Sequence, residues 1–312
     1  MKHTILGAGG SIGNPLAYRL LENKQNVRLV SRSKFSINGA ESVKADLTSY
    51  AETLESIKQS DIVYLCAGLA YDSTVWENTW PLIMKNTIDS CKKSGSKLIF
   101  FDNVYMYGKA DGKMTENSPY NPCSKKGEVR AKIARMLEEE ISSNNITAII
   151  ARAADLYGPF ADKTSVPYIM VIDKMLKGNK AQWIVNDKVL HSYTYTIDCA
   201  NGLFLLGMKN EAYGQVWHLP TYSPAIGGKT FIEIAAKEIG APASYSVLPK
   251  FMIRIIGLFN KTVKEMTEML YQNEYEYIFD STKFNNYFQY SPKPYDVGIR
   301  ETIQFFKNKG KP

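Results

Sequence analysis

Three glycines near the start of the chain have the type and spacing to hold a phosphate. They stand at Gly7, Gly10 and Gly13 in His3-Thr-Ile-Leu-Gly-Ala-Gly-Gly-Ser-Ile-Gly13. Gly7 can turn the backbone sharply off a strand. Gly10 has no side chain to keep a pyrophosphate away, and Gly13 lets a following helix pack closely on the sheet. The N–H groups of the helix start, around Ser11, Ile12 and Gly13, then face the anion. The spacing means dinucleotide binding only if a strand precedes it and a helix follows. Both do: Ile5-Leu6 reads as a short buried strand, and Ile12, Leu16, Ala17, Leu20 and Leu21 fall on one helical face. Pro15 sits in that helix's first turn, where its missing N–H costs little.

A site preferring NAD places Asp or Glu at the end of the second strand, about 20 residues past the glycines, to bond the ribose 2′-hydroxyl. Here the strand Val27-Arg-Leu-Val30 ends in Ser31-Arg32-Ser33-Lys34, with no carboxylate. A carboxylate would repel a 2′-phosphate, whereas Ser31, Ser33 and the Arg32 guanidinium can bond one. The loop therefore predicts NADP in preference to NAD. The plainer alternative for Arg32 is a solvated loop cation.

The elements that must position these groups alternate in type. After the first two strands come a helix around 50–59 and the apolar run Ile62–Ala67. A long helix to about Lys93, the strand Lys97–Phe101, a helix over 125–143 and the strand Ile146–Ala151 follow. This rhythm predicts βαβ units, hence a Rossmann-type doubly wound parallel sheet, with ligands bound beyond the carboxyl ends of the strands. Past about residue 160 the rhythm loosens. The expectation is a dinucleotide-binding domain over 1–160 and a smaller C-terminal α/β substrate lobe over 161–312, with the chain free to cross between them.

Composition narrows the class. With 312 residues, 45% hydrophobic and 22% charged, the chain reads as an ordinary globular protein with a substantial core. No apolar run is long enough to span a membrane, and the first strand begins at once without a signal peptide, so a cytoplasmic protein with no membrane partner is expected. Four scattered cysteines form no Cys-x-x-Cys pair, which argues for a reducing compartment and against zinc. The net charge of +7 is spread along the chain and argues against nucleic acid. No cluster of Cys, His or carboxylates suggests a metal.

Taken together, the motifs resemble the short-chain dehydrogenase/reductase superfamily, in its extended epimerase/dehydratase branch. The anchors are the glycine fingerprint, Ala45-Asp46-Leu47-Thr48, Cys66-Ala67-Gly68, Val104-Tyr-Met-Tyr107-Gly108, Arg152-Ala-Ala-Asp-Leu-Tyr157-Gly-Pro159 and Tyr193-Thr-Tyr-Thr-Ile-Asp198-Cys-Ala200. The resemblance implies that Asp46 and Leu47 lie near the adenine and that Ala67 and Gly68 line the nicotinamide-ribose side. A helix cap at Asp46 and a turn at Gly68 are compatible with those roles. It also implies a small-molecule substrate and, as an assembly open to the chain, a homodimer.

The resemblance further implies a Ser or Thr, a Tyr acting as acid/base, and a Lys that lowers the Tyr pKa, the last two spaced Tyr-x-x-x-Lys. Counting back from Tyr107-Gly108 puts Asn103 at the hydroxyl position, where an amide can bond a substrate oxygen but not relay a proton. Counting forward from Pro122 puts Lys126 and Arg130 at the Tyr and Lys positions. Matching on Ser124-Lys125 gives Asn121 and Lys125 instead, and Tyr120 lies one residue too far from Lys125. No register supplies the pair, as in atypical members of the superfamily. Tyr157 is then the first choice of proton donor, with Lys126 beside the nicotinamide ribose. A packed Tyr and a surface cation are the plain alternatives. His191 falls where the parent family often has an Arg for the substrate diphosphate, which weakens the case for a nucleotide sugar. His218 opens the second lobe as a cleft acid/base or a satisfied buried ring. Two functions follow: an NAD(P)-dependent oxidoreductase or epimerase-like enzyme on a small polar or sugar-like substrate, or a non-catalytic NADP(H)-binding sensor or scaffold.

Overall fold

The computed structural model of the chain describes residues 1–33 and 35–309; Lys34 of the Ser31–Lys34 loop and residues 310–312 lie outside the described residues. The first half alternates as expected: β1 (Lys2–Leu6), α1 (Gly13–Glu22), β2 (Asn26–Ser31), β3 (Glu41–Lys44), α2 (Tyr50–Ser56), β4 (Ile62–Leu65), α3 (Ser73–Ser94), β5 (Lys97–Asp102), α4 (Lys125–Ser142) and β6 (Ala148–Arg152). Thereafter come β7 (Asp155–Tyr157), α5 (Asp173–Leu176), β8 (Ala181–Ile184), β9 (Tyr193–Tyr195), α6 (Thr196–Met208), β10 (Val216–His218), α7 (Gly228–Ile239), β11 (Tyr245–Leu248), α8 (Lys250–Phe259), α9 (Lys261–Met266), α10 (Thr282–Phe288) and α11 (Tyr295–Lys309).

Seven strands form one sheet in the order β10-β6-β5-β4-β1-β2-β3, and every pairing in it is parallel. Alternate residues of each strand face opposite layers. Ile5, Leu29, Tyr64 and Ile99 pack with Leu16, Ala17 and Leu20 of α1 and Leu203 of α6. Their neighbours Leu6, Val30, Val63 and Phe100 pack instead with Trp76, Trp80 and Ile83 of α3 and Ile133 and Leu137 of α4. Both faces are covered, so the strands read as apolar runs rather than as alternating patterns.

The strand order reverses at β1, between β2 and β4, and a crevice opens there at the carboxyl ends. The second lobe is built on two small parallel pairs, β8–β11 and β7–β9, with its own core around Tyr157, Val171, Phe231 and Ile299. The chain does not stay in that lobe: β10 returns to the main sheet beside β6. Among the described residues no helix is long and apolar enough to cross a membrane.

Candidate active site

A cleft of about 290 Å³ lies over the crevice, lined by Gly7, Gly10, Ser31, Arg32, Ser33, Asp46, Leu47, Ala67 and Gly68 among others. This is at the lower end of the size range of small-molecule sites, roughly 300–1,000 Å³. The glycines differ in what they do. Gly7 has φ +100, and a Cβ there would sit 2.4 Å from the Ala67 Cα, so the turn admits no side chain. A Cβ on Gly13 would lie 2.8 Å from the Gly7 carbonyl oxygen, which is the close helix–strand packing expected of that position. At Gly10 a Cβ would meet only the Gly7 oxygen, at 3.4 Å, so this residue opens on the cleft. Helix α1 begins behind it at Ile12 without a side-chain cap, and Ser11 Oγ lies 2.7 Å from Thr164 Oγ1 of the loop above.

At the far end of the cleft Arg32 is exposed and has no ion-pair partner among the described residues. Ser31 Oγ donates to the Ser33 carbonyl at 2.5 Å. Asp46 accepts from Thr48 N at 2.9 Å and Thr48 Oγ1 at 2.8 Å, and these bonds hold its carboxyl below the usual range. Its oxygen Oδ1 is thus engaged locally, as a turn-capping carboxylate would be.

Asn103 follows β5, and its Oδ1 accepts from Tyr105 N at 3.1 Å. Its amide N–H groups have no protein partner among the described residues and remain open to a ligand oxygen. The two positions that replace Tyr and Lys are both committed elsewhere. Lys126 is fully buried. Its Nζ donates to Glu265 Oε2 at 2.6 Å, Glu268 Oε1 at 2.7 Å and the Glu265 carbonyl at 3.1 Å. Those three bonds use all its protons, so Lys126 offers no free N–H to a nicotinamide ribose. Although burial opposes it, the Lys126 bond, with one from Ser73 N, holds the Glu265 carboxyl below its ordinary range. Arg130 donates from Nε to Asp102 Oδ1 at 2.7 Å and also from Nη2. Arg152 reaches the same buried carboxylate and bonds Tyr107 Oη at 2.7 Å and the Tyr120 hydroxyl. Tyr107 in turn lies 2.8 Å from His218 Nε2, while His218 Nδ1 lies 2.7 Å from the Asp280 carbonyl. Burial lowers His218 to about 3, so its satisfied, neutral ring belongs to this network and not to an open cleft.

Tyr157 occupies a different place from the one its motif suggests. Its ring is 1% exposed among Tyr195, Tyr295 and Phe231, its hydroxyl has no hydrogen-bond partner, and a Cβ on Gly298 would come within 2.4 Å of that oxygen. Burial pushes the phenol well above its ordinary range, opposite to the lowering expected from Lys126 and a nicotinamide charge. The side chain serves as packing under the second lobe.

Where motif counting finds no acid or base, the tertiary structure brings two groups together. Asp155 opens β7, and its Oδ2 lies 3.1 Å from Nε2 of His191, just ahead of β9. His191 Nδ1 lies 3.2 Å from the Gln272 carbonyl, so each ring nitrogen faces an oxygen that, unprotonated, can only accept. The imidazole is buried and stacked on Tyr193 at 4.5 Å, while the carboxylate is 28% exposed. Around it stand Tyr71, Tyr105, Tyr193 and Tyr277. Burial raises all four phenols, and the Asp155 charge adds to the effect. None of these tyrosines is poised as a phenolate.

The sequence from residue 3 to 218 matches the model of the NAD dependent epimerase/dehydratase family. The chain belongs to that family. An uncharacterized UDP-glucose epimerase, YtcB of Bacillus subtilis (strain 168), is 23% identical over 69% of this chain and 67% of its own length. An uncharacterized protein, y4nL of Sinorhizobium fredii, is 21% identical over 96% of this chain and 92% of its own. Among solved structures, a UDP-glucuronic acid 4-epimerase from Bacillus cereus in complex with NAD superposes with a TM-score of 0.80 at 18% identity, covering 100% of both chains. At that identity the superposition speaks for the fold.

In this family member the glycine cleft is formed, and Lys126 and Arg130 are engaged in ion pairs with Glu265, Glu268 and Asp102. Glu265 and Glu268, which take up the Lys126 charge, have no signal in the sequence beyond their i, i+3 spacing. They lie more than 130 residues from Lys126 along the chain, as the separations of 139 and 142 show. Of the Asp155–His191 pair, the sequence singled out only His191, as a departure from the Arg of the parent family; Asp155 stood there as one member of the Arg152–Pro159 motif.

Proposed function

We propose that this family member is an NADP-preferring oxidoreductase or epimerase-like enzyme acting on a small polar or sugar-like substrate. The observation that carries the reading is the cleft itself. Gly10 leaves its backbone bare at one end, and Ser31, Arg32 and Ser33 stand at the other beside Asp46, whose Oδ1 is held by Thr48. The glycine loop and the start of α1 would hold the pyrophosphate, Arg32 the 2′-phosphate, and Ala67 and Gly68 the nicotinamide-ribose side. Bound there, the dinucleotide supplies hydride transfer. Asn103 orients the reacting oxygen through its amide N–H. Asp155, aimed by His191, takes or returns the proton that a Tyr handles in the parent family. An acidic wall at Asp155 suits hydroxyls better than a diphosphate, which fits a small polyol or sugar.

The sequestration of Lys126 and Arg130 supports the second reading, a protein that binds NADP(H) without turnover. One set of measurements separates the two. NADPH and NADH are titrated by nicotinamide fluorescence, and absorbance at 340 nm is then followed with a panel of aldoses, ketoses and nucleotide sugars. Tighter NADPH binding with turnover, reduced by roughly 10²–10⁴-fold in Asp155→Asn at unchanged NADPH affinity, is expected. Binding without turnover on any substrate would favour the sensor. Absence of binding to either dinucleotide would overturn both readings.

A further inference from the structure

Helix α8 presents more apolar surface to solvent than any other described element. Only Ile253 and Gly257 of its ten residues are buried, against Ile184, Leu270 and Val263. Phe251, Met252, Ile255, Ile256, Leu258 and Phe259 all lie open, with exposures of 63% at Phe251, 78% at Leu258 and 88% at Phe259. At about 100° per residue these six fill one continuous arc of about 160°, opposite the buried pair. Such a face is far larger than isolated surface hydrophobics explain. It is also held firmly. A Cβ on Gly257 would come within 3.1 Å of the Lys264 Cα, so α8 and α9 are in near-backbone contact, and Asn260 between them caps α9 through Val263 N at 3.1 Å.

Charge decides what covers this face. From Val247 to Lys264 the chain contains Lys250, Arg254, Lys261 and Lys264 and no Asp or Glu. Lys250 pairs with Glu274 and Lys261 with Asp72, while Arg254 and Lys264 have no carboxylate partner among the described residues. Arg254 borders the apolar arc beside Leu258. A second copy docking through the same face would bring another basic, carboxylate-free segment against this one, a like-charge approach. A surface that is apolar within and anionic at its boundary complements both features. At ten residues α8 is much too short to span a bilayer. Lying in the interface plane, it could bury the phenylalanines while Arg254, at the edge of the arc, meets headgroups.

We propose that α8 is a docking helix by which the protein binds peripherally to anionic membrane surfaces. This departs from the sequence expectation of no membrane partner, which rested on the lack of a spanning run, and it is independent of the reading of the cleft. The test is cosedimentation of the full chain with phosphatidylcholine vesicles and with vesicles containing phosphatidylserine. Binding is expected to the anionic vesicles alone and to weaken as salt rises. Phe251→Ser/Leu258→Ser/Phe259→Ser should abolish it, and Arg254→Glu should lower partitioning by at least ~5-fold, since each basic residue near such a surface contributes roughly that factor. Circular dichroism spectra and melting temperatures matching the parent chain show that the variants fold. Equal recovery with both vesicle types, no recovery with either, or undiminished binding of the triple variant would overturn the proposal. So would a concentration-dependent dimer in light scattering that the triple variant abolishes, which would assign the face to a second copy.

Discussion

Single residues in the glycine loop carry separable duties. Gly7 is closed in by Ala67 and holds φ +100, so Gly7→Ala should destabilise the fold itself. Gly10 opens on the cleft without a positive φ, so Gly10→Leu should fold normally and lose dinucleotide binding. Thermal melts alongside NADPH titration check both, and a folded Gly10→Leu protein of unchanged affinity would refute the assignment. Arg32 is the other test at this scale. Arg32→Ala should weaken NADPH by roughly 1.5–3 kcal/mol, the worth of a hydrogen bond to a charged group, and leave NADH nearly untouched. Equal losses for both cofactors would show a structural role instead. The motif residues were legible because each duty depends on a residue type at a fixed local spacing. Tyr157 was not, since the same Tyr-Gly-Pro run serves equally well as packing once Tyr195, Tyr295 and Phe231 close around it.

At the scale of elements, the segment from α9 onward is clamped to the first half by charge. Lys261 pairs with Asp72, which also caps α3 through Val75 N, and Glu265 and Glu268 close over Lys126. A buried cation stripped of its partners is costly, roughly 3–5 kcal/mol. Glu265→Gln/Glu268→Gln should therefore lower stability by about that amount and raise amide exchange across 261–273, measured by denaturant titration and hydrogen exchange. A loss below about 1 kcal/mol would mean that Lys126 finds other partners. Helix and strand limits in the first half were readable from periodicity. The clamp was not, because its two sides meet only after the second lobe folds back.

For the molecule as a whole, two buried histidines predict how stability responds to acid. Burial lowers His3 to about 4 and His218 to about 3, from an ordinary value of 6.5. Unfolded, both rings take up protons below 6.5, whereas the folded rings do so only near 4 and 3. Their contribution is therefore complete above pH 6.5 and is lost as pH falls toward those lower values. The expected slope is about 1.4 kcal/mol per pH unit for each ring. Between pH 6.5 and 5 most carboxylates stay ionised, so this window isolates the histidines. The melting temperature should fall across it, and less so in His3→Gln/His218→Gln. A flat profile in the parent chain would contradict the burial of the two rings as neutral species.

What the sequence determined by itself was everything written in local period and spacing. That covers the alternating elements, the parallel sheet, the glycine loop, the lack of a carboxylate at the end of the second strand and the lack of a Tyr-x-x-x-Lys pair at the register of the family motif. These are legible because a strand–turn–helix phosphate site is built from about a dozen contiguous residues whose backbone needs restrict residue type. Which partners Asp155, His191 and Lys126 meet was decided only in three dimensions. Asp155 and His191 lie 36 residues apart, and Lys126 meets Glu265 across 139. Likewise, the apolar face of α8 reads along the chain as one more core helix. Only the folded lobe, which buries Ile253 and Gly257 and nothing else of it, leaves that face to water. A contact between side chains distant along the chain depends on how the lobes pack, and no local period records that.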